Sequence, residues 1–322
     1  MSSLRGHRVL VIGGLGFIGA NLSRRLHAEG AIVTVLTPSR GRHAEDAQEF
    51  DRVGIAVREG DIRRRDDIAA AVAGQDVIFN LSGQSGAVRS MEDPWTDLDV
   101  NCGGALSLLE AVRAVNQKAR VVFTGSRLEY GRVGSSSVGE DHPTDPLCLH
   151  AIHKLTVEQY LKLYRQLFGL RYVIARITNP YGPGQPRSRT AYGVVNRLIH
   201  LALSNDVLPI YGDGSQRRDY IYIDDTVAAL CALAVAPDAE GIYNVGNGVG
   251  TPLVEMARAI TKISGGGRIE FVGWPPLDEK IETGDFVADI TRIRRETGWS
   301  PTVAVDEGLR RTVAHYRMHI AS

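Results

Sequence analysis

The chain has 322 residues, 43% hydrophobic and 23% charged, which is ordinary for a globular protein with a sizeable buried core. Lysine plus arginine and aspartate plus glutamate each total 37, so net charge gives no attraction for nucleic acid or an anionic membrane. A polar start without a signal-peptide core, no apolar run near the roughly 20 residues of a membrane span, and three dispersed cysteines predict a soluble, cytoplasmic protein.

Short runs rich in valine and isoleucine alternate with amphipathic stretches over the first half of the chain. Gly30 and Gly169 follow two of these stretches and are natural helix stops. The predicted strands are Arg8–Ile12, Ile32–Leu36, Ile55–Val57, Val77–Leu81, Val121–Phe123 and Tyr172–Ile177, and the predicted helices are Ala20–Glu29, Val100–Val115 and Ile152–Phe168. Strands that alternate with helices predict a doubly wound α/β fold with a parallel sheet.

After about residue 178 the pattern changes to turn-rich sequence mixed with helices. Thr251 is predicted to cap one of these helices, with Pro252 in its first turn. The predicted helices lie near Tyr192–Leu203, Asp225–Val235, Thr251–Ile263 and Val305–His319. This part of the chain is expected to form a smaller, discontinuous lobe that packs on the sheet.

A glycine-rich loop follows the first predicted strand and opens the first predicted helix. Gly13, Gly16 and Gly19 permit a tight turn, close approach of a pyrophosphate to backbone N–H groups, and close packing of helix on strand. Glycine spacing alone is also compatible with a flexible turn. Its position at the head of an alternating β/α series favours dinucleotide binding.

Further motifs, in order along nearly the whole chain, resemble the extended short-chain dehydrogenase/reductase family, also called NAD-dependent epimerase/dehydratases. They run from Gly16-Phe17-Ile18-Gly19 to Gly298-Trp299-Ser300-Pro301. The resemblance implies a Rossmann-type NAD(P)-binding domain over residues 1–178 and a mainly substrate-binding lobe over 179–322, with the region 204–247 returning to the first domain. The coenzyme-binding residues that it implies are Gly13, Gly16, Phe17, Ile18, Asp61, Ile62, Leu81, Ser82, Gly83 and Lys154.

The end of the second strand departs from the pattern typical of NAD. A carboxylate there would bind the ribose diol of NAD, but this chain has Thr37, followed by Ser39, Arg40 and Arg42. The serine and the arginines fit a 2′-phosphate, or else they are surface residues of a solvated loop. We predict NADP or NAD as coenzyme, with NADP preferred and Arg40 among its contacts.

The catalytic residues that the resemblance implies include one substitution. The family uses a tyrosine four residues before a lysine as its acid/base unit, and here His150 precedes Lys154. Ser126 matches the hydroxyl residue that contacts the reacting sugar oxygen. Histidine, whose ordinary pKa is about 6.5, can exchange protons near neutral pH. Alternatively, His150 only fills the space of the tyrosine.

The same substitution indicates a direction of reaction. Imidazole is a weaker base than phenolate by roughly three to four pKa units, and oxidising an unactivated alcohol requires a strong base. We therefore predict reduction of a 4-keto sugar nucleotide, with an NDP-hexose 4-epimerase as the alternative and an inactive NAD(P)-binding regulatory or structural protein as the second. Dehydration is not expected, because Arg127 and Leu128 replace the acidic pair of the family's sugar dehydratases.

The substrate contacts that the resemblance implies lie further along the chain. Asn179 and Arg218 match residues that bind the substrate of relatives, a nucleotide-diphosphate sugar whose phosphates require cations and N–H donors. Arg187, Arg189, Arg217 and Lys280 are further candidate cations.

Two more expectations concern metals and assembly. No metal site is expected at His150 and His153, because no acid or cysteine accompanies the pair at ligand spacing, and His153 is expected to be solvated or packed. The helices containing Leu106–Val112 and Leu155–Leu167 carry more apolar residues than one buried stripe needs. They resemble the family's four-helix interface and predict a homodimer.

Overall fold

The structure, a computed structural model, describes residues 3–134, 137–185 and 193–320. Its strands follow the valine- and isoleucine-rich runs of the sequence. In chain order they are β1 (Arg8–Ile12), β2 (Ile32–Thr37), β3 (Ala56–Glu59), β4 (Val77–Asn80), β5 (Arg120–Ser126), β6 (Arg171–Ile177), β7 (Asn179–Tyr181), β8 (Val207–Tyr211), β9 (Arg217–Tyr222), β10 (Gly241–Val245), β11 (Gly250–Pro252) and β12 (Arg268–Val272).

The helices occupy the amphipathic stretches between the strands. They are α1 (Phe17–Ala28), α2 (Ala44–Val53), α3 (Arg65–Val72), α4 (Ala87–Glu92), α5 (Pro94–Leu98), α6 (Gly104–Val115), α7 (Leu149–Phe168), α8 (Val194–Leu203), α9 (Ile223–Val235), α10 (Leu253–Ser264), α11 (Pro276–Ile281), α12 (Thr291–Thr297) and α13 (Val305–Ile320). A π-helical segment, Asp99–Gly103, joins α5 to α6.

The main sheet has the order β10-β6-β5-β4-β1-β2-β3, and each neighbouring pair in it is parallel. Helices cover both faces, so β4 is buried at every residue and β1 at every residue after Arg8. The prediction of a doubly wound, Rossmann-type fold is confirmed. Because the strand order reverses between β1 and β4, a crevice for a ligand is expected at the carboxyl ends of these strands.

Two smaller sheets contain the remaining strands. In one, β9 lies between β7 and β11, and in the other β8 pairs with β12. From the region 204–247, β10 joins the main sheet and α9 packs against α1, β5 and β6, whereas β8 and β9 belong to the small sheets. The domain boundaries predicted from the sequence stay a prediction.

The predicted elements differ from the observed ones mainly at their ends. Thr251 is not a helix cap: it pairs with Arg218 across β11 and β9, and Leu253 begins the helix. The backbone there serves the small sheet, with Leu253 N donating to Gln216 O over 3.1 Å. The helix predicted from Val100 starts earlier, since α5, the π-helical segment and α6 follow one another without a break.

A buried charged cluster joins β6, α7 and the turn after β5. Arg176 Nη2 donates to Glu158 Oε2 over 2.7 Å, and Arg176 Nε donates to Glu129 Oε2 over 2.9 Å. Both glutamates have 0% exposure. Burial, and then repulsion by Glu158, raises the pKa of Glu129 well above its usual value. One guanidinium therefore balances two carboxyl groups, and Glu129 favours its protonated form.

Glu129→Gln should be tolerated better at high pH than at low pH. A carboxyl group whose pKa is raised by folding contributes stability below its unfolded pKa, and that contribution is lost as the pH rises towards its folded pKa. Glutamine does not ionise, so the variant does not lose stability in this way as the pH rises. We would measure urea unfolding of both proteins at pH 5.5 and pH 8. The free energy of unfolding of Glu129→Gln minus that of wild type should be more positive at pH 8 than at pH 5.5, which means that the variant is relatively more stable at pH 8.

Arg176→Met is the matched disruptive change, because it leaves buried carboxyl groups without their cation. We expect it to lower the free energy of unfolding by about 3–5 kcal/mol. Glu279→Gln, at an exposed position of α11, is the control and should have little effect. A larger penalty for Glu129→Gln at pH 8 than at pH 5.5 would contradict this account of the cluster.

Candidate active site

Backbone hydrogen bonds join three loops at the carboxyl edge of the main sheet. Gly13 N donates to Leu36 O over 2.9 Å, and Leu81 N donates to Ile12 O over 3.0 Å. These bonds connect the ends of β1, β2 and β4. The glycine loop therefore lies beside the segment Leu81-Ser82-Gly83, at the point where the strand order reverses.

The geometry of the glycine loop fits the pyrophosphate of a dinucleotide. Gly13 has a φ of +78°, and a Cβ on Gly19 would lie 2.3 Å from Gly13 O. Gly16 caps α1 without a side-chain hydrogen bond, and no acidic residue occupies the first turn of the helix. No acidic side chain of this turn competes for the backbone N–H groups at the start of α1, which can donate hydrogen bonds to an anion. Phe17 and Ile18, partly buried, form the start of this helix.

Lys154 lies on α7 against the loop after β4. Its Nζ donates to Thr124 O over 3.0 Å, lies 4.7 Å from the ring centre of Phe123, and would lie 3.6 Å from a Cβ on Gly83. Burial lowers the pKa of Lys154 to about 8. An ammonium has three donors, and within the described residues only one of them is used. Lys154 therefore fits the ribose hydroxyls of a coenzyme.

His150, one helical turn before Lys154, faces a buried carboxylate that the sequence did not predict. His150 Nδ1 lies 3.8 Å from Asp97 Oδ2, and neither atom has a hydrogen-bond partner among the described residues. Asp97 Oδ1 lies 2.6 Å from His153 Nδ1. Burial lowers the pKa of His150, Asp97 opposes this shift, and the charge of Lys154 adds to it. A neutral imidazole at neutral pH follows.

His153 is packed, not solvated, because its hydrogen bond to the fully buried Asp97 holds it inside the protein. Nothing in the sequence near His153 indicated this partner, since 56 positions separate the two residues. In the described ranges no group of three or more histidine, cysteine, aspartate or glutamate residues could hold a metal ion. In the same ranges no helix is long and apolar enough to span a membrane.

Ser126 ends β5 in a capping box with Glu129. Leu128 N donates to Ser126 Oγ over 3.2 Å, and Ser126 N donates to Glu129 Oε1 over 2.7 Å. The hydroxyl oxygen thus accepts one hydrogen bond, and among the described residues the hydroxyl proton has no acceptor, so it can be donated to a ligand. The arrangement fits the role that the resemblance implies for Ser126.

Arg127, Asn179 and Arg218 form a polar group that extends from the sheet edge towards the second lobe. Arg127 Nε donates to Asn179 Oδ1 over 3.2 Å, and Arg127 Nη1 donates to Thr283 Oγ1 over 2.8 Å. Arg218 is ion-paired with Glu282. Burial, and then the nearby charge of Arg218, lowers the pKa of Arg127 to about 9. Arg127 has no ion pair with a described carboxylate, so its guanidinium can contact an anionic ligand.

Arg40 lies less favourably for coenzyme selection than the sequence indicated. Its guanidinium is ion-paired with Asp51 and donates to Val57 O over 2.9 Å. Thr37 is buried, and its hydroxyl donates to Ser39 O over 3.3 Å. Arg42 is exposed in the short helical turn Gly41–His43 that follows β2.

The other predicted coenzyme contacts line the same edge. Ser82 Oγ donates to Asn80 Oδ1 over 2.6 Å, beside Leu81 and Gly83. Asp61 accepts from Arg63 Nε over 2.9 Å, and this interaction lowers the pKa of the Asp61 carboxyl group. Ile62, the next residue, is buried.

Among the further candidate cations, Arg217 is exposed and donates to Gly250 O over 3.1 Å, and Lys280 is exposed at the end of α11. Arg187 and Arg189 lie outside the described residues. The sequence does not indicate that Glu282 and Thr283 are partners of the two arginines, because pairing between segments 64 to 156 positions apart leaves no local pattern.

The doubly wound sheet, the glycine loop at its switch point, and a hydroxyl, a lysine and a histidine beside that loop define a nicotinamide-dependent α/β protein of the dehydrogenase class. Comparison with known proteins narrows this class. The model of the NAD dependent epimerase/dehydratase family matches residues 9–246. The chain therefore belongs to the NAD-dependent epimerase/dehydratase family, as the sequence motifs predicted.

Individual relatives agree with this assignment. The chain is 33% identical over 317 residues to the UDP-glucose 4-epimerase of Mycolicibacterium smegmatis, covering 96% of this chain and 98% of the relative. It resembles the structure of the Thermus thermophilus UDP-glucose 4-epimerase in complex with NAD, with a TM-score of 0.86, 31% identity, and coverage of 96% and 99%. It also resembles the Thermotoga maritima UDP-glucose 4-epimerase with UDP-glucose, with a TM-score of 0.88, 28% identity, and coverage of 97% and 99%.

Proposed function

We propose that this protein is an oxidoreductase or isomerase that transfers hydride at a carbon of a nucleotide-activated sugar. The observation that carries the proposal is the placement of Lys154, one turn after His150 and against the Gly83 loop. Its buried ammonium has no ion pair with a described carboxylate and uses one of its three donors. Burying such a charge is costly unless a ligand completes its contacts, and a nicotinamide ribose supplies the missing acceptors.

In the proposed reaction His150, Ser126 and Lys154 each have a separate role. A bound nicotinamide coenzyme supplies or accepts the hydride. In the oxidation direction, His150 Nε2 takes the proton of the sugar hydroxyl, and in the reduction direction His150 returns a proton to that oxygen. Ser126 donates a hydrogen bond to the same oxygen. Lys154 holds the ribose, and its positive charge favours the neutral imidazole.

Within this chemistry we propose reduction of a 4-keto sugar nucleotide as the reaction, because a carbonyl that already exists requires only hydride and a proton. A 4-epimerase is the second candidate, and its support is the similarity to the UDP-glucose 4-epimerases. An inactive coenzyme-binding protein is disfavoured, since it would not need Asn179 and Arg218. Dehydration is also disfavoured, because neither Arg127 nor Leu128 can replace an acidic pair.

We propose that the diphosphate of the sugar nucleotide binds at Arg218 and Arg127, with Asn179 beside them. In the structure the guanidinium of Arg218 forms an ion pair with the carboxylate of Glu282. A diphosphate therefore has to share or displace this carboxylate. Arg127 has no carboxylate ion pair among the described residues, so its charge is available to the phosphates or to the sugar.

His150→Phe should lower turnover by about 10²–10⁴-fold, the usual contribution of a general acid or base. The dissociation constant of the coenzyme should change little, because Lys154 still holds the ribose. Turnover would be measured with reduced coenzyme and a panel of nucleotide 4-ketosugars, and with nucleotide hexoses for the reverse direction. His7→Phe, at an exposed position, is the control. Near-normal turnover of His150→Phe would move the proton transfer to Ser126 or water.

The pH dependence has a definite sign. Burial lowers the pKa of His150, so the proton donor of the reduction direction forms only below the usual range of histidine. Reduction should therefore quicken as the pH falls through this pKa, and oxidation should slow. If the rates of oxidation and of reduction both stay constant across this pH range, proton transfer by His150 is contradicted.

We propose that NADP(H) is the preferred coenzyme. The support is that Thr37 stands at the end of β2 in place of the acidic residue that would bind the ribose diol of NAD. Since Arg40 is engaged with Asp51, the 2′-phosphate would contact Ser39 and Arg42. Arg42→Ala should then weaken NADP(H) binding by about tenfold, the value of one charge-assisted contact of 1.4 kcal/mol, and leave NAD(H) unchanged. Fluorescence quenching with both coenzymes measures this, and tighter binding of NAD(H) by the wild type would refute the preference.

We propose a homodimer through α6 and α7. Leu106, Leu163, Leu167 and Phe168 on these helices are 41–63% exposed, and apolar patches of this kind mark protein interfaces. Leu163→Asp should shift the protein to a monomer in sedimentation at micromolar concentration. Val53→Asp, at a residue 46% exposed on α2, should leave the dimer intact. A monomeric wild type would contradict the proposal.

A further inference from the structure

We infer that Asp97 is the positioning residue for His150: its carboxylate holds the proton of His150 on Nδ1 and leaves Nε2 as the atom that exchanges protons with the substrate. The inference rests on the proposed role of His150 in proton transfer. It adds a second residue to that role and bears on the direction of the reaction.

The first observation is a pair of buried polar atoms that face each other. Asp97 Oδ2 and His150 Nδ1 are both buried without a hydrogen-bond partner among the described residues, and 3.8 Å separates them. A buried carboxylate oxygen and a buried ring nitrogen each lose free energy when left unpaired. A shift of about 1 Å would join them in a charge-assisted hydrogen bond.

The second observation is that Asp97 is fixed from its other side. His153 Nδ1 lies 2.6 Å from Asp97 Oδ1. Asp97 has 0% exposure. Its helix is held by a proline at the start of α5 and by a cap, in which Asp93 Oδ1 accepts from Thr96 N over 3.2 Å. The carboxylate therefore cannot turn away, and its free oxygen remains aimed at His150.

The charges around His150 agree with this arrangement. Burial opposes the ionisation of Asp97, but the interactions with His150 and His153 outweigh it and lower the pKa of Asp97. Asp97 therefore stays an anion. Besides His153, the other titratable groups near this pair among the described residues are Lys154, Cys102 and Cys148. Burial raises the pKa of the Cys102 thiol to about 11 and also raises the pKa of the Cys148 thiol, so neither thiol carries a charge. Lys154 is the only one of these groups that disfavours an imidazolium.

The carboxylate changes what His150 can do. In oxidation, the O–H proton of the sugar moves to Nε2, the C–H bond breaks, its electron pair leaves as hydride to the coenzyme, and a C=O bond forms. The imidazolium that results lies beside the anion of Asp97, which stabilises it as the aspartate of a catalytic triad does. His150 is thus a stronger base than the same buried imidazole would be without the carboxylate. Asp97 therefore assists the oxidation step, which a 4-epimerase requires and a 4-keto reductase does not.

The test reads the ring nitrogens of His150 by ¹⁵N NMR in the full-length protein, with His150→Phe used to assign the signals. Above its pKa, wild-type His150 should carry its proton on Nδ1, whereas a free neutral histidine favours Nε2. In Asp97→Asn the pKa of His150 should fall by about 1 unit or more, because a neutral amide cannot stabilise the imidazolium. An Nε2–H tautomer in the wild type would overturn the inference without any variant.

Turnover separates positioning from a merely structural role. Asp97→Asn should lower the oxidation rate by about 10²-fold or more and leave the coenzyme dissociation constant unchanged. His153→Gln keeps the carboxylate, so His150 should retain its Nδ1–H tautomer and most of its rate. Equal losses in Asp97→Asn and His153→Gln, with an unchanged pKa of His150, would show that Asp97 only packs the helices. If the NMR results hold but His150→Phe keeps its turnover, the proposed role of His150 is what fails.

Discussion

Arg176 holds Glu129 and Glu158 inside the protein, and each of these residues is tied to one part of the site. Glu129 accepts from the backbone of Ser126, and Glu158 follows Lys154 by one turn of α7. Arg176 is the next-to-last residue of β6, the strand that leads to Asn179. A Cβ on Gly125 would lie 2.8 Å from Glu129 Oε1, so the cluster leaves little room for a side chain at the position before Ser126. The relative positions of the three site elements therefore depend on one buried guanidinium.

The candidate active site also contains two buried cations. Lys154 and Arg127 are desolvated cations whose pKa values burial lowers to about 8 and about 9, and neither is ion-paired with a described carboxylate. Such groups cost stability in the free protein, and a ligand that brings oxygen acceptors relieves that cost. The fold supplies the compensating stability through its apolar core and through the Arg176 cluster.

The sequence predicted the fold well, because buried parallel strands require the apolar runs that flank the glycine loop, and helices require the amphipathic stretches between them. Parts of the site with a local signature, such as the glycine loop and the spacing of His150 and Lys154, were also predictable. The partners of these residues were not. Asp97 meets His153 only because two helices pack side by side, and Thr251 joins a strand only because Arg218 lies opposite.

The π-helical segment between α5 and α6 has an evolutionary consequence. Gly104 N bonds to Asp99 O, five residues back, so the segment holds one residue more than an α-helix of the same length. Loss of a single residue between 99 and 103 would restore an ordinary helix and rotate everything before it by about 100° relative to α6. Asp97 would then leave the histidines. A one-codon deletion would thus separate Asp97 from the histidines and leave Ser126, His150 and Lys154 in place on β5 and α7.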